Sequence, residues 1–328
     1  MKKAFVLAIA LAFLASFSPV HDAAAKAFLA IGGGPVGGTF NYFANAIAIY
    51  LTKNLPDVEV SSEGSGGSAE NIKRVHRHDV DFGIAYSGDI YLGRIGQLPK
   101  DDTKYDNVRP LAYLYGAPAQ LVVMKDSGIT SAKQLAGKKV AVGNAGSGAA
   151  LSAERFFRKL GLWDKIQPQF LGYSAAASAF QDGKIDAFWV LVGYPNASII
   201  EASTQNEISL VNVHKDAEEA GFYDEYPFYS KTVIPKGTYR GQDEDTVTFQ
   251  DSTFWIANKD VDEDLVYNAL KAIYSEDGLA HMKKAHKAAG EMSVESALMG
   301  VSAPVHKGAA KFWTEMGLQI PEKYQPID

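Results

Sequence analysis

The chain contains no cysteine, which excludes a disulfide framework, a thiolate zinc centre and a cysteine on which an exported chain could carry a lipid. It also has no apolar run of the roughly 18 residues that a membrane-spanning helix needs; the longest extends from Ala4 to Phe17. Basic residues are in the minority, 32 against 38 acidic, and form no stripe along a face, so nucleic acid is not an expected partner. No internal repeat or low-complexity segment appears. A Gly-Lys-Ser/Thr phosphate loop and a G-x-S-x-G nucleophile elbow are both missing, the nearest approach to the latter being "GYSAAAS" with Ala176 at the second glycine position.

What is present begins with an export signal. Lys2 and Lys3 precede the apolar run, and small residues follow at Ala23, Ala24 and Ala25. Residues 1–25 are read as a cleaved signal peptide, with cleavage after Ala27 as the alternative, and a periplasmic location without a lipid anchor is expected. Without Lys2, Lys3 and Asp22 the mature chain keeps 30 basic and 37 acidic residues. About three hundred residues can bury a core large enough to hold the fold without cross-links.

Short apolar strands alternate with helical patterns. "AFLAIGGG" precedes a helical stretch that places Tyr42, Ala46, Ile49 and Tyr50 near one spacing until Pro56; "VEVSSEGSGGS" precedes a helix with Ile72 and Val75 inward; "DFGIAYSGD" reads as a third strand. The rhythm restarts after "LAYLYGAPAQLVVM", with a helix then a strand in "SAKQLAGKKVAV", and continues in "AALSAERFFRKLGL" and "QFLGYSAAASAF". This predicts an α/β fold of two lobes, one inserted in the other, with crossing segments near Gly116 and Thr238.

Three glycine loops stand where a strand hands over to a helix: "GGGPVGGTF", "EGSGGSAEN" and "GNAGSGAAL". Gly32, Gly34 and Gly37 match the G-x-G-x-x-G dinucleotide fingerprint, but Glu63 lies too far on to serve as its acidic partner. The match is coincidental. Glycine and serine before a helix are ordinary turn chemistry; three such loops in two lobes predict an anion site, because helix starts present unpaired N–H groups and a favourable dipole. Ser68 and Ser147 are expected helix caps, Glu70 and Asn71 helix-start residues, and Arg94 and Arg155 solvated cations.

The segments "GGTFNYFANAIA", "GSGGSAENIKRV" with "DFGIAYSGD", "LAGKKVAVGNAGSG", "GKIDAFWVLVGYP" and "IPKGTYRGQDED" occur in this order across most of the mature chain. The sequence thereby resembles the TAXI family of solute-binding proteins of TRAP (tripartite ATP-independent periplasmic) transporters. That resemblance implies a type II periplasmic binding protein fold, with residues 26–117 and 239–328 as lobe I and 118–238 as lobe II, joined by two crossing hinge segments. It implies a monomer without cofactor that closes on a small carboxylate, such as glutamate or a dicarboxylate, and delivers it to a sodium-coupled TRAP membrane permease of two dissimilar subunits. By position in these motifs the expected ligand-binding residues are Thr39, Tyr42, Ser65, Gly66, Gly67, Ser68, Tyr86, Asn144, Ser147 and Gly148, with Phe188 as an apolar wall.

Tyr42 is equally readable as a core residue of its helix. Three places depart from the family pattern: Tyr86 stands where Gln is usual, Ala149 where Thr often follows Gly-Ser-Gly, and Phe40-Asn41-Tyr42-Phe43 where paired tyrosines and Pro are usual. The receptor of an ABC importer, a ligand-sensing partner of a receptor kinase and a secreted hydrolase are the competing readings. No catalytic triad is legible, and His76, His78, His281 and His286 lack metal-ligand spacing, the histidines reading mainly as helix-surface residues. N-terminal analysis of the exported protein should give Lys26 or Phe28 as first residue; retention of Met1 would contradict the signal-peptide reading.

Overall fold

The computed structural model describes residues 26–327, so the export signal assigned to residues 1–25 lies outside the described residues. Ten strands are linked in one path, β2-β1-β3-β10-β4-β7-β5-β6, with β8 added to β4 and β9 to β10. They are β1 (Ala27–Gly32), β2 (Val58–Glu63), β3 (Phe82–Tyr86), β4 (Val108–Met124), β5 (Lys139–Ala141), β6 (Gln167–Gln169), β7 (Ala187–Leu191), β8 (Ile208–Leu210), β9 (Ser230–Ile234) and β10 (Thr246–Asn258). The first half of the path is one lobe, where β1 runs parallel to β2 and β3 and β10 enters antiparallel. In the other lobe β5 runs parallel to β6 and β7, while β4 runs antiparallel to β7 and β8.

Two strands belong to both lobes. β4 is buried along nearly its whole length, and the crossing expected near Gly116 is continuous strand. Its partner β10 meets it from Gln250 opposite Pro118 to Asn258 opposite Val108. The second crossing is therefore β10 and not the loop at Thr238: β9 folds back as a hairpin against Thr246–Gln250, which keeps the Thr238 turn inside the second lobe. At Gly116 a Cβ would lie 2.1 Å from Gln250 Oε1, so glycine leaves room there for the Gln250 side chain.

Five helices concern the site: α1 (Thr39–Asn54), α2 (Ser68–His76), α3 (Ser87–Arg94), α4 (Gly148–Lys159) and α5 (Tyr173–Gln181). α4 is seated by Phe156, whose ring stacks on Trp189 at 5.3 Å and meets Phe249 at 5.6 Å. On α1 the buried face is Phe40, Phe43, Ala44, Ile47 and Leu51; Tyr42 and Ile49 point outward. That helix is apolar on most of its circumference, so spacing alone admits two stripes. The expected helix before β5 is a single 3-10 turn, Ala132–Leu135, ended by Gly137 in the left-handed region. His214 and His306 are buried instead of lying on charged surfaces.

Asn71 ties lobe I together beneath the cavity. It is fully buried, and its Nδ2 donates to the carbonyls of Gly32, Gly33 and Ile84 at 3.1, 2.6 and 2.8 Å. A Cβ on Gly32 would fall 2.6 Å from Asn71 Oδ1. The first glycine of the apparent fingerprint thus makes room for an asparagine. Removing that amide takes a donor from three buried carbonyls, of which Gly33 O keeps the Ser65 hydroxyl, a loss of about 1–3 kcal/mol. Asn71→Ala should lower the melting temperature by several degrees, and an unchanged melt would contradict this role.

Candidate functional site

Four helix starts converge on one cavity between the lobes. It is lined by residues that lead into or open α1, α2, α4 and α5, together with Tyr86 and Val192. The residues before α1, α2 and α5 are Gly38, Gly67 and Gly172, and none supplies a capping side chain. The first-turn N–H groups of a helix have no acceptor one turn back, so these three helices present open donors to the cavity side. Only α4 carries a side-chain cap, Ser147 Oγ accepting from Ala150 N at 3.1 Å. Each start adds the positive end of a helix dipole.

Thr39, Gly66, Gly67, Ser68, Tyr86, Asn144, Ser147 and Gly148 line this cavity, as the sequence suggested. Ser68 is not the cap of α2, which is Gly67 at φ +112°; its Oγ accepts from Tyr86 N at 2.9 Å, fixing the end of β3. Ser65 is off the lining: its hydroxyl donates to Gly33 O at 2.9 Å and accepts from Gly67 N at 3.0 Å, which braces the loop. Tyr42 is neither wall nor core, being 43 % exposed with its ring 5.8 Å from that of His286. Phe188 faces away, packed 5.1 Å from Phe180 beneath the outer helices. Every residue of β7 is buried, so alternation cannot tell which face looks at the cavity. Glu70 accepts from Gly66 N at 2.8 Å and is a loop brace.

Gly172 and Tyr173 were not expected. Their segment, "QFLGYSAAASAF", carries the same strand-glycine-helix signal as the other loops, but its serine drew attention only as a possible nucleophile. The Tyr173 hydroxyl donates to Leu191 O at 3.0 Å, and the Tyr86 hydroxyl, from the opposite lobe, donates to the same carbonyl. Burial pushes the Tyr173 phenol up to about 12 and Tyr86 well above its ordinary value, so both are neutral donors at physiological pH. The cavity measures about 40 Å³, a few times the space one water requires. None of its lining residues carries a charged side chain. It can hold a small anion through backbone N–H groups, hydroxyls and the Asn144 amide, against the rings of Phe40, Tyr86 and Tyr173.

Closure is tight at Gly148. A methyl group there would stand 2.5 Å from the Tyr86 ring and 2.6 Å from Asp89 Oδ2, both in the opposite lobe. Gly148→Ala should leave the fold intact, since alanine suits a helix, yet weaken ligand binding at least about tenfold by holding the lobes apart. Calorimetry giving wild-type affinity would contradict closure at this point. Ser147→Ala removes the α4 cap, worth ~1 kcal/mol, and should weaken binding as well.

Solved structures share this architecture. MatC from Rhodopseudomonas palustris with bound malate aligns with a TM-score of 0.55 at 15% identity, over 88% of this chain and 97% of that one. A putative L-cystine ABC transporter protein from Listeria monocytogenes gives 0.51 at 16% identity, over 80% and 96%. PhnD1 from Prochlorococcus marinus in complex with methylphosphonate gives 0.50 at 16% identity, over 78% and 90%. At these identities the likeness establishes the two-lobed fold of periplasmic binding proteins. Residues 31–317 match the NMT1-like family over most of the chain, and the protein belongs to that family.

Proposed function

We propose that the protein is a periplasmic solute receptor which closes on a small carboxylate, a glutamate-like amino acid or a dicarboxylate, and delivers it to a sodium-coupled TRAP permease of the TAXI type. The observation that carries this reading is the cavity itself, where four helix starts from both lobes meet and the lining holds no charged side chain. Hydrogen bonds to a charged group contribute about 1.5–3 kcal/mol each. Micromolar affinity requires about 8 kcal/mol, so four or five such contacts with lobe closure suffice after ordering costs. The malate-bound and methylphosphonate-bound relatives in fold also hold small anions.

The order and spacing of the TAXI-like segments favour a TRAP permease as recipient. The fold neighbour described as a putative L-cystine ABC transporter supports an ABC importer as the second reading, and uptake by reconstituted vesicles separates the two. A sodium gradient should drive receptor-dependent uptake, and a requirement for ATP would replace the TRAP assignment by the ABC one.

Ligand identity is read first by thermal melting against a panel of amino acids, dicarboxylates, 2-oxo acids and sulfonates. A ligand at 100-fold its dissociation constant adds about 2.7 kcal/mol, a shift of several degrees in a protein of this size. The expected hit is a carboxylate. A panel in which only sulfonates or only cations stabilise the protein would overturn the carboxylate reading.

A further inference from the structure

Arg155 is not a solvated arginine. It lies two turns along α4 from Gly148, is 6 % exposed, and its Nη2 donates to Asp89 Oδ1 at 2.7 Å while Nη1 donates to Tyr229 Oη at 3.1 Å. Asp89 is fully buried on α3, which follows β3 in lobe I, whereas α4 packs on β7 in lobe II. The ion pair therefore bridges the lobes. The same Asp89 offers its other oxygen to the surface against which Gly148 rests, so one side chain touches both the start and the middle of α4.

The groups facing this pair are few. Asp251 of β10 approaches from the crossing strands, its Oδ1 accepting from Gly88 N at 3.2 Å. Oδ2 of Asp251 and Oδ2 of Asp89 are both buried without a hydrogen-bond partner. Burial, with the Asp89 charge next, holds the Asp251 carboxyl well above the usual carboxylate range. Burial opposes the Arg155 cation, but Tyr229 and Asp89 outweigh it and keep its pKa above the ordinary value. Tyr229 is raised by burial and Tyr86 likewise. Phe228 covers the assembly, 5.8 Å from the guanidinium, and stands where a Cβ on Gly88 would fall.

We propose that Asp89 and Arg155 are positioning residues that set the closed register of the two lobes, placing the start of α4 over the cavity only when the two charges meet. The proposal rests on the closing-receptor reading above and adds a device outside the ligand's own contacts. Coulomb attraction and desolvation nearly cancel for a buried pair, whereas a buried charge deprived of its partner is strongly unfavourable. The pair consequently adds little to the closed form when complete and penalises every closed arrangement in which it is misaligned. Removing one partner should disfavour closure; removing both should restore much of it.

The test uses the absence of native cysteine. Gly37 and Ser174 face each other across the mouth of the cleft, with a Cβ on Gly37 placed 4.0 Å from Ser174 Oγ. Gly37→Cys with Ser174→Cys places a disulfide across the cleft; the strain of a side chain at Gly37, whose φ is +83°, is common to every variant and cancels between them, so changes in effective concentration in a glutathione buffer read changes in the closed population without any ligand. In this background Asp89→Asn and Arg155→Met should each lower the effective concentration at least about tenfold, and the combined variant should recover most of the loss. Arg155→Lys, which keeps the charge but not the fork that reaches both Asp89 and Tyr229, should fall between and serves if Arg155→Met does not fold. Lys159→Met, which breaks a surface pair with Glu225 within lobe II, should change nothing. Unchanged values in the single variants, or a combined variant as low as they are, overturns the proposal. Because no ligand enters the measurement, a melting panel without a carboxylate hit leaves its outcome standing.

Discussion

A helix start that lacks a side-chain cap leaves several N–H donors without acceptors, and a folded chain must put them against water, another group or a ligand. Here three helices begin this way at the same cavity, and the fourth is capped by a serine whose hydroxyl hydrogen is still free to donate. On the proposed function, these donors are hydrated in an open cleft and grip an anion in a closed one. Charged side chains are unnecessary for this. Of those near the cavity, Glu70 braces the loop at Gly66, and Asp89 and Arg155 bridge the lobes.

The two-lobed architecture follows from the same demand. Helices that start at the ends of parallel strands aim their N-termini along one edge of a sheet, and two such sheets must face each other for four starts to converge. β4 and β10 supply the connection by running through both lobes as antiparallel partners. Continuity of these strands lets the lobes move as bodies about a short pair of segments, with Gly116 admitting the side chain of Gln250 at the crossing. Closure then brings Tyr86 to the Leu191 carbonyl and Gly148 to the Tyr86 ring, so the contacts that shut the cleft are the walls of the cavity.

Much of this was legible in the sequence because it is local. A strand, a glycine loop and a helix within a dozen or so residues announce themselves by composition and period, and three of the four loops were found in this way. The fourth was visible in the same terms but read as a failed catalytic elbow around Ser174. Phe188 misled because a strand buried on both faces has no polar side to orient it. Tyr42 misled because α1 is apolar on more than one stripe. Arg155 reads as a solvated cation because its partner lies 66 residues away, in the other lobe. Pairings of that kind are fixed by closure and leave no mark in local spacing. Asn71 does stand in the first turn of α2, but its role as the donor that ties three carbonyls of lobe I together depends on contacts far along the chain.

The central claim is that backbone N–H groups of both lobes hold the ligand. Amide chemical shifts followed by NMR during titration with the acid that most raises the melting temperature test it directly. The account predicts the largest downfield proton shifts at Thr39, Phe40, Ser68, Ala69, Gly148 and Ala149, saturating together at one affinity. Shifts confined to one lobe, or clustered away from these helix starts, would contradict it.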